Sequence, residues 1–446
     1  MNILKILLNK INKSAFKEYF SHSAWMLMEY PFRFISSIVI NLLLARELGP
    51  SNFGIFSFVV GTTAIITSIG KLGLDSIILR DFVNADQFST EKLLGTAFWL
   101  RVISSIFLTI LFLICYIQIE YKNPELKFII LLLFGFIFQS VEVIEFYFQS
   151  KIMGKKIFVL KTSYLLISTL IKIIFLLNHS NLETFIYILV FDQIILSIIF
   201  LYSYKMSSGL FFLYCFNKKI ASYYFREGLP LLINGVAVII YMKCDLILIK
   251  FFLDDNAVGI YSAASKVSEI FYFIPMILST ALFPSLIKAK SMGDINYETQ
   301  IQELYKVFFL ISIVISIATF LLAPYIIPFL FGASFDLSIE ILLIQSWSAI
   351  FVFLGVVSSK WYIIQNLKIY LMIGIVIGAT LNIVLNLVFI PKYGLIAAAW
   401  ISLVTQIFTS YFINIFFKST RHNFYLMTRS IFFFCNKNLY KKIIKF

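Results

Sequence analysis

Long apolar stretches separated by short polar turns run along the chain from one end to the other. Each stretch is long enough to cross the ~30 Å hydrocarbon core of a bilayer as a helix, which takes about 20 residues. The pattern therefore predicts an all-α polytopic membrane protein with about twelve transmembrane helices. The predicted windows lie near residues 21–45, 53–74, 95–119, 127–149, 157–177, 183–205, 229–253, 259–287, 301–323, 338–361, 368–391 and 394–417.

Composition supports the same class of protein. Hydrophobic residues make up 60% of the 446 residues and charged residues only 13%, whereas a soluble domain carries about 25% charged residues. An ordinary soluble enzyme is therefore excluded. The ends of the windows carry turn-forming residues, for example Gly49-Pro50-Ser51-Asn52 and Pro391-Lys392-Tyr393-Gly394, which stop helices and leave polar backbone at the membrane surface.

The net charge of +14 is explained by membrane topology, and we expect no nucleic-acid partner, because the basic residues lie between apolar runs. With the N-terminus in the cytoplasm, twenty-three basic residues fall on the cytoplasmic side and five on the other, Arg46, Lys122, Lys127, Lys250 and Lys392. The positive-inside rule then predicts a multi-pass protein of the cell (inner) membrane with both termini in the cytoplasm.

A short internal repeat indicates how the helices are grouped. Phe53-Gly54-Ile55-Phe56 follows the first window, and Val258-Gly259-Ile260-Tyr261 follows the seventh, 205 residues later. A duplication of six spans requires a match at these two places, so we expect two pseudo-symmetric six-helix lobes around a central cavity. The predicted divisions are a cytoplasmic segment 1–20, an N-terminal lobe 21–205, a cytoplasmic linker 206–228, a C-terminal lobe 229–417 and a basic amphipathic cytoplasmic tail 418–446.

Signals for a metal, a cofactor or an enzyme nucleophile are missing from the sequence. There is no GxxxxGK[ST] phosphate loop and no GxSxG motif, and the loops outside the membrane are short. A membrane glycan polymerase, the alternative of a different class, would need a larger loop, so we expect no cofactor and no enzyme activity. The cysteines and histidines lack the spacing of metal ligands; they are Cys115, Cys215, Cys244, Cys435, His22, His179 and His422.

Ionisable residues inside the predicted spans are the main functional signal, since each costs at least a few kcal/mol in a bilayer and needs a partner or a polar cavity. Glu142 and Glu145 lie near a cytoplasmic end, where a structural role is favoured. The basic candidates for substrate binding are Arg33, Lys172, Lys243 and Lys266. The acidic candidates for ion coupling or for structuring the cavity are Glu29, Asp192, Asp245 and Glu269.

Four basic side chains in a low-dielectric cavity suit a phosphate or pyrophosphate head group, which Arg grips with two donors and Lys with a movable point charge. The acidic residues would bind H⁺ or Na⁺ as a coupling ion, or hold the basic residues in place. The alternative to a role in substrate or ion binding is a structural one, in which these charges form internal ion pairs, as the i, i+4 spacing of Glu29 and Arg33 allows.

The sequence also resembles the Wzx-type polysaccharide flippases of the MATE-like multidrug/oligosaccharidyl-lipid/polysaccharide exporter superfamily. The likeness covers nearly the whole chain. Its motifs are Leu42-Leu43-Leu44-Ala45-Arg46-Glu47-Leu48-Gly49-Pro50, Phe53-Gly54, Gly73-Leu74 with Arg80, Asp245, Val258-Gly259-Ile260-Tyr261, Lys266 through Glu269, Phe331-Gly332, Asn382, Asn386, Ile390-Pro391 and Tyr393-Gly394.

This resemblance implies alternating access and transport of undecaprenyl-pyrophosphate-linked oligosaccharide units for surface polysaccharide (O-antigen or capsule) biosynthesis. The implied partners are that lipid-linked oligosaccharide, membrane lipid, H⁺ or Na⁺, and a polysaccharide polymerase with its chain-length partner. Related lipid II flippases use basic residues of the first helix, which points to Arg33. A lipid II flippase and a drug/cation antiporter, with an acidic site at Glu29, remain alternatives of the same fold.

Overall fold

The computed structural model describes residues 13–83, 89–118, 124–209 and 211–432, and every regular element in these ranges is helical. Parts of the predicted segment 1–20 and of the predicted tail 418–446 therefore lie outside the described residues. The helices of the first half are α1 Lys13–Gly70, α2 Asp75–Val83, α3 Thr90–Gln118, α4 Pro124–Gln139, α5 Val143–Ser150, α6 Gly154–Leu177, α7 Leu182–Ser208 and α8 Lys218–Phe252.

The second half continues the same pattern, with short 3-10 turns between some of the helices. A π-helical turn, Phe408–Phe412, lies near the end. The helices are α9 Asp255–Glu269, α10 Phe273–Ser291, α11 Asp294–Phe331, α12 Leu337–Gln345, α13 Ser348–Ile364, α14 Lys368–Ile407, α15 Ile413–Phe416 and α16 Arg421–Ile431.

Ten helical segments among the described residues are long and apolar enough to cross a membrane. Two of them, Ala24–Gly70 and Lys368–Phe416, contain 47 and 49 residues, about twice the length that one crossing needs. Each is interrupted by a glycine with positive φ, Gly49 in the first and Gly394 in the second. Divided at these glycines, the ten segments become twelve, and the chain is a multi-pass membrane protein as predicted.

The described residues form two compact units, which we treat separately. The N-terminal unit contains the residues up to Leu48 together with Val59–Val236, and the C-terminal unit contains Gly49–Phe58 together with the residues from Ala237 onward. Aromatic and aliphatic side chains fill each core. Tyr204 and Phe148 lie in the core of the N-terminal unit, and Tyr305 and Phe353 in that of the C-terminal unit.

The two glycines of the predicted repeat lie against each other inside the C-terminal unit. A Cβ atom on Gly54 would lie 1.7 Å from the carbonyl oxygen of Asp255, and one on Gly259 would lie 1.9 Å from that of Pro50. Only glycine allows the two helix backbones to approach so closely. The repeated motif is therefore a helix crossing in which each copy supplies the glycine that the other needs.

Proline explains one break in a span. The 3-10 turn Ile270–Tyr272 separates α9 from α10 just before Pro275. Proline has no N–H to donate to the carbonyl of Phe271, four residues earlier, and its ring crowds that carbonyl. The turn follows from that missing hydrogen bond.

Candidate functional site

In the N-terminal unit, a buried lysine joins two carboxylates from different helices. The Lys161 ammonium on α6 lies 2.7 Å from each carboxylate oxygen of Glu145 on α5 and 3.5 Å from Oε1 of Glu29 on α1. Gln149 donates a further hydrogen bond to Glu145, at 3.2 Å. These side chains are mostly buried, with exposed fractions of 18% for Lys161, 12% for Glu145 and 8% for Glu29. The arrangement compensates both acids inside an apolar bundle.

Arg33 lies at the edge of this cluster and is only loosely held. Its guanidinium is 3.6 Å from Oε1 of Glu29, one turn earlier on α1, and it lies over the ring of Tyr30 at 5.1 Å. The Arg33 side chain is 55% exposed. The predicted Glu29–Arg33 contact therefore exists, but it leaves most of the guanidinium open to another anion.

Lys172, the second basic candidate, is held by an acid of the neighbouring span. Its ammonium pairs with Asp192 on α7, and Ser168 Oγ donates to the other carboxylate oxygen of Asp192 at 2.7 Å. The exposed fractions are 15% for Lys172 and 20% for Asp192. Both charges are thus used in a contact between α6 and α7.

Two further ion pairs connect distant parts of the N-terminal unit. Lys71 lies 3.4 Å from Glu142, which also accepts a 2.7 Å hydrogen bond from Gln139. Arg101 on α3 pairs with Asp75 and lies over the ring of Phe146 at 5.5 Å. Arg101 is 2% exposed, so this pair joins the buried side of α3 to α2.

In the C-terminal unit, Asp245 on α8 is buried and surrounded by neutral donors. Tyr261 and Ser402 each donate to its Oδ2, and Asn386 donates to its Oδ1, all three at 2.7 Å. Among the described residues no basic side chain forms an ion pair with this carboxylate. The Oδ1 atom of Asn386 is buried and has no hydrogen-bond partner. Asp245 and this orphan oxygen supply what a small cation binds, negative charge and oxygen atoms.

A second polar layer surrounds this carboxylate. Asn386 donates to Asn382 Oδ1 at 3.0 Å, and Asn382 in turn donates to Thr405 at 3.3 Å. Asn382 and Asn386 lie one turn apart on the first part of α14, while Ser402 and Thr405 lie beyond the break at Gly394. The glycine break thus brings two parts of one long helix to the same carboxylate.

Two lysines of the C-terminal unit, Lys243 and Lys266, lie near the same acid, Glu269. Lys243 lies 3.7 Å from Glu269. Lys266, one turn before Glu269, is half-buried, and no hydrogen bond or ion pair joins its ammonium to any residue in the described ranges. Glu269 attracts the Lys266 ammonium and Lys243 repels it. Two lysines thus lie near one acid, so positive charge is in excess in this apolar segment.

Our sequence reasoning missed several of these residues. It overlooked Lys161 and Arg101. Both fall inside apolar windows, 157–177 and 95–119, and a charged residue in such a window is a functional candidate because its burial in a membrane is costly. The neutral donors Tyr261 and Ser402 could not be identified in this way, because they carry no charge and hydroxyl groups are common throughout the spans. In the described part of the chain, no group of three His, Cys, Asp or Glu side chains is arranged to hold a metal ion.

Comparison with solved structures identifies the fold. One similar structure is a multidrug resistance MATE family transporter of the MOP superfamily in an inward-facing conformation, with 13% identity, 89% of this chain and 96% of that chain covered, and a TM-score of 0.69. Another is the lipid II flippase MurJ in an inward closed conformation, with 14% identity, 91% and 90% coverage and a TM-score of 0.69. A third similar structure is a multidrug resistance MATE family transporter in an outward-facing conformation. It has 14% identity, 93% of this chain and 96% of that chain are covered, and the TM-score is 0.59. The chain has the fold of these proteins.

At the sequence level, no curated protein matches the chain. The family model described as polysaccharide biosynthesis protein does match, over residues 43–340. That range holds 298 of the 446 residues, or two thirds of the chain, and it includes Asp245, Lys266 and the paired charges of the N-terminal unit other than Glu29 and Arg33. The chain therefore belongs to the polysaccharide biosynthesis protein family.

Proposed function

We propose that the protein is a flippase that moves undecaprenyl-pyrophosphate-linked oligosaccharide units across the cytoplasmic membrane by alternating access, for surface polysaccharide biosynthesis. The family and the fold support a membrane flippase or transporter. The observation that carries the choice of an anionic cargo is Lys266, a half-buried ammonium that forms no ion pair or hydrogen bond among the described residues. A positive charge left over in an apolar segment is costly unless a ligand uses it.

Arg33 and Lys266 are the two predicted basic residues best suited to bind the pyrophosphate. Arg33 is more than half exposed and keeps only a 3.6 Å contact with Glu29. Lys172 and Lys243 are each paired with an acid, so binding substrate would first require breaking those pairs. We assign an anion-binding role to Arg33 and to Lys266, each considered within its own unit, and a structural role to Lys172 and Lys243.

Asp245 is our candidate for coupling transport to an ion. Its carboxylate has three neutral donors and no basic partner in the described chain, and the unpartnered Asn386 oxygen lies in the same cluster. Binding H⁺ or Na⁺ would compensate its charge. Flipping should then depend on the corresponding gradient, which reconstituted vesicles with an imposed Na⁺ or pH gradient would measure.

The cargo proposal is tested by replacing Arg33 and Lys266 with alanine, singly, in a strain that depends on this gene for its surface polysaccharide. Neither change leaves a buried acid without a cation, because Lys161 still faces Glu29 and Lys243 still faces Glu269. We therefore expect normal insertion and abundance. Transport should fall by about tenfold or more, the usual order for losing a charged contact to ligand.

Lys127→Ala is the matched control, since it removes a basic residue whose pair with Glu183 is exposed, at 52% and 54%. It should leave polysaccharide export unchanged. Wild-type export by both Arg33→Ala and Lys266→Ala, with the proteins present in the membrane, would refute an anionic binding role for these residues.

The location of the accumulated lipid separates the proposal from its alternatives. A deletion strain lacking a flippase accumulates lipid-linked units in the inner leaflet, whereas loss of a glycan polymerase leaves unpolymerised units in the outer leaflet. Loss of a drug/cation antiporter changes neither, and loss of a lipid II flippase stops peptidoglycan synthesis. We expect inner-leaflet accumulation, cytoplasmic termini, and a polymerase with its chain-length partner acting on the exported units.

A further inference from the structure

Lys161 lies between two buried acids, Glu29 and Glu145, and the first of them also contacts Arg33. Three charged side chains from three helices follow one another through space: Glu29 on α1, Lys161 on α6 and Glu145 on α5. Arg33 contacts only the first of them. Glu29 thus faces two cations at nearly the same distance, 3.5 Å to Lys161 and 3.6 Å to Arg33.

The two cations around Glu29 differ in their freedom to leave. Lys161 is 18% exposed and is held by both oxygens of Glu145, each at 2.7 Å. Arg33 is 55% exposed and makes no other ionic contact among the described residues. When an anion draws Arg33 away, Lys161 stays and continues to compensate Glu29.

We propose that Lys161 is a positioning residue for Arg33. It acts by holding the charge of Glu29, so that this carboxylate does not compete with the pyrophosphate for the Arg33 guanidinium. This inference rests on the proposed function, because it takes Arg33 as a substrate contact.

Electrostatics explains why the competition is strong. Glu29 is 8% exposed, and a carboxylate in so dry a place must find a positive partner, since an uncompensated buried charge costs several kcal/mol. Without Lys161, Arg33 is the one cation among the described residues that still contacts Glu29. Arg33 would then close on Glu29 as a two-donor pair, the geometry that it would otherwise offer to the pyrophosphate.

The chain offers a matched pair of variants that isolates this effect. Lys161→Met/Glu29→Gln and Lys161→Met/Glu145→Gln each remove one positive and one negative charge from the same cluster. The first removes the competitor of the pyrophosphate. The second removes the acid that contacts Lys161 most closely and leaves Glu29 alone with Arg33. A role limited to holding the helices together predicts that the second variant recovers at least as well as the first.

The experiment measures the Kd of undecaprenyl pyrophosphate for the full-length protein in nanodiscs of phosphatidylethanolamine and phosphatidylglycerol. We expect Lys161→Met and Lys161→Met/Glu145→Gln to bind about tenfold more weakly than wild type, the order for losing one charged contact. Lys161→Met/Glu29→Gln and the conservative Lys161→Arg should bind within about threefold of wild type. The thermal unfolding midpoint of each variant in the same nanodiscs reports whether it is folded.

Each outcome decides one claim. Equal recovery of the two double variants, or better recovery by Lys161→Met/Glu145→Gln, would overturn the positioning role while leaving Arg33 as a substrate contact. If Arg33→Ala binds undecaprenyl pyrophosphate as wild type does, the proposed cargo contact itself fails, whatever the Lys161 variants do. If Lys161→Met alone does not fold, Lys161→Met/Glu145→Gln and Lys161→Arg still decide the question, since neither leaves a buried carboxylate of the cluster without a cation. Wild-type binding by Lys161→Met/Glu145→Gln would overturn the positioning role.

Discussion

The N-terminal and C-terminal units handle their intramembrane charges in different ways. In the N-terminal unit, Glu29 and Glu145 share Lys161, and Asp192 has Lys172. In the C-terminal unit, Asp245 is surrounded by neutral donors, and Lys266 forms no ion pair in the described chain. These N-terminal acids are thus compensated within their unit, whereas Asp245 and Lys266 are not held in ion pairs.

This difference distinguishes charges that hold helices together from charges that are available to bind a ligand. A paired charge lowers the cost of its own burial and fixes the contact between two spans. An unpaired charge remains uncompensated until a ligand binds. Compensating that charge then contributes to the free energy of ligand binding. Arg33 is the exception in the N-terminal unit, because its loose contact and exposure make it resemble the unpaired group.

The largest effect should come from breaking a compensated pair. Asp192→Ala leaves the Lys172 ammonium, which is 15% exposed, without its counter-charge inside the α6–α7 contact. We expect a loss of about 3 kcal/mol in the free energy of unfolding, the low end for breaking a buried pair, because both side chains keep some exposure. Thermal or denaturant unfolding of the purified protein in detergent would measure it.

A double variant serves as the control for that pair. Lys172→Met/Asp192→Leu replaces both charges by apolar groups, and we expect it to recover most of the loss. If Asp192→Ala is as stable as wild type, the pair is not compensating a buried charge. The contrast that we draw between the two units would then lose its basis.

The spans could be predicted from the sequence because their cause is local. A run of about 20 apolar residues must be helical in a bilayer, since no water is present to satisfy its backbone. The turn residues at Gly49 and Gly394 also mark the breaks in the two longest helices. The approximate positions of about twelve crossings therefore follow from composition and turn chemistry alone, although the helix Lys218–Phe252 begins well before the predicted window 229–253.

Partners of the charged residues could not be predicted in the same way, because they depend on which helices are neighbours. The separation of i, i+4 gave the Glu29–Arg33 contact, but nothing in the sequence indicates that Lys161 also reaches Glu29, 132 residues earlier. The donors around Asp245 lie 16, 141 and 157 residues away. Long-range pairing is a property of the packed bundle, and sequence spacing does not encode it.

The second-largest effect compares the same substitution, aspartate to asparagine, in the two units. Asp245→Asn removes a charge that no basic residue of the described chain pairs with, and the remaining carbonyl oxygen can still accept from Tyr261 and Ser402. We expect the unfolding midpoint to stay within about 2 °C of wild type. Gradient-driven flipping should fall by about tenfold, equivalent to ~1.4 kcal/mol.

Asp192→Asn is the matched change in the N-terminal unit. It should lower the unfolding midpoint, because the Lys172 ammonium loses its counter-charge. Equal destabilisation by the two substitutions would mean that Asp245 is compensated by a charge in the folded protein, and ion coupling at this carboxylate would be contradicted.

The smallest effect comes from an ion pair at the surface, and it sets the scale for the others. Lys127 lies 3.6 Å from Glu183, but both side chains are more than half exposed. Water and salt already solvate and screen such charges, so the pair contributes at most about 1 kcal/mol. A double-mutant cycle with Lys127→Ala and Glu183→Ala, measured by unfolding at low and high salt, should give a small coupling that disappears as salt is added. The Lys172–Asp192 coupling should persist under the same conditions, because burial in the α6–α7 contact shields it from the solvent ions. If both couplings decline equally as salt is added, burial does not shield the Lys172–Asp192 pair from solvent ions, and the distinction between the buried and the exposed pair is contradicted.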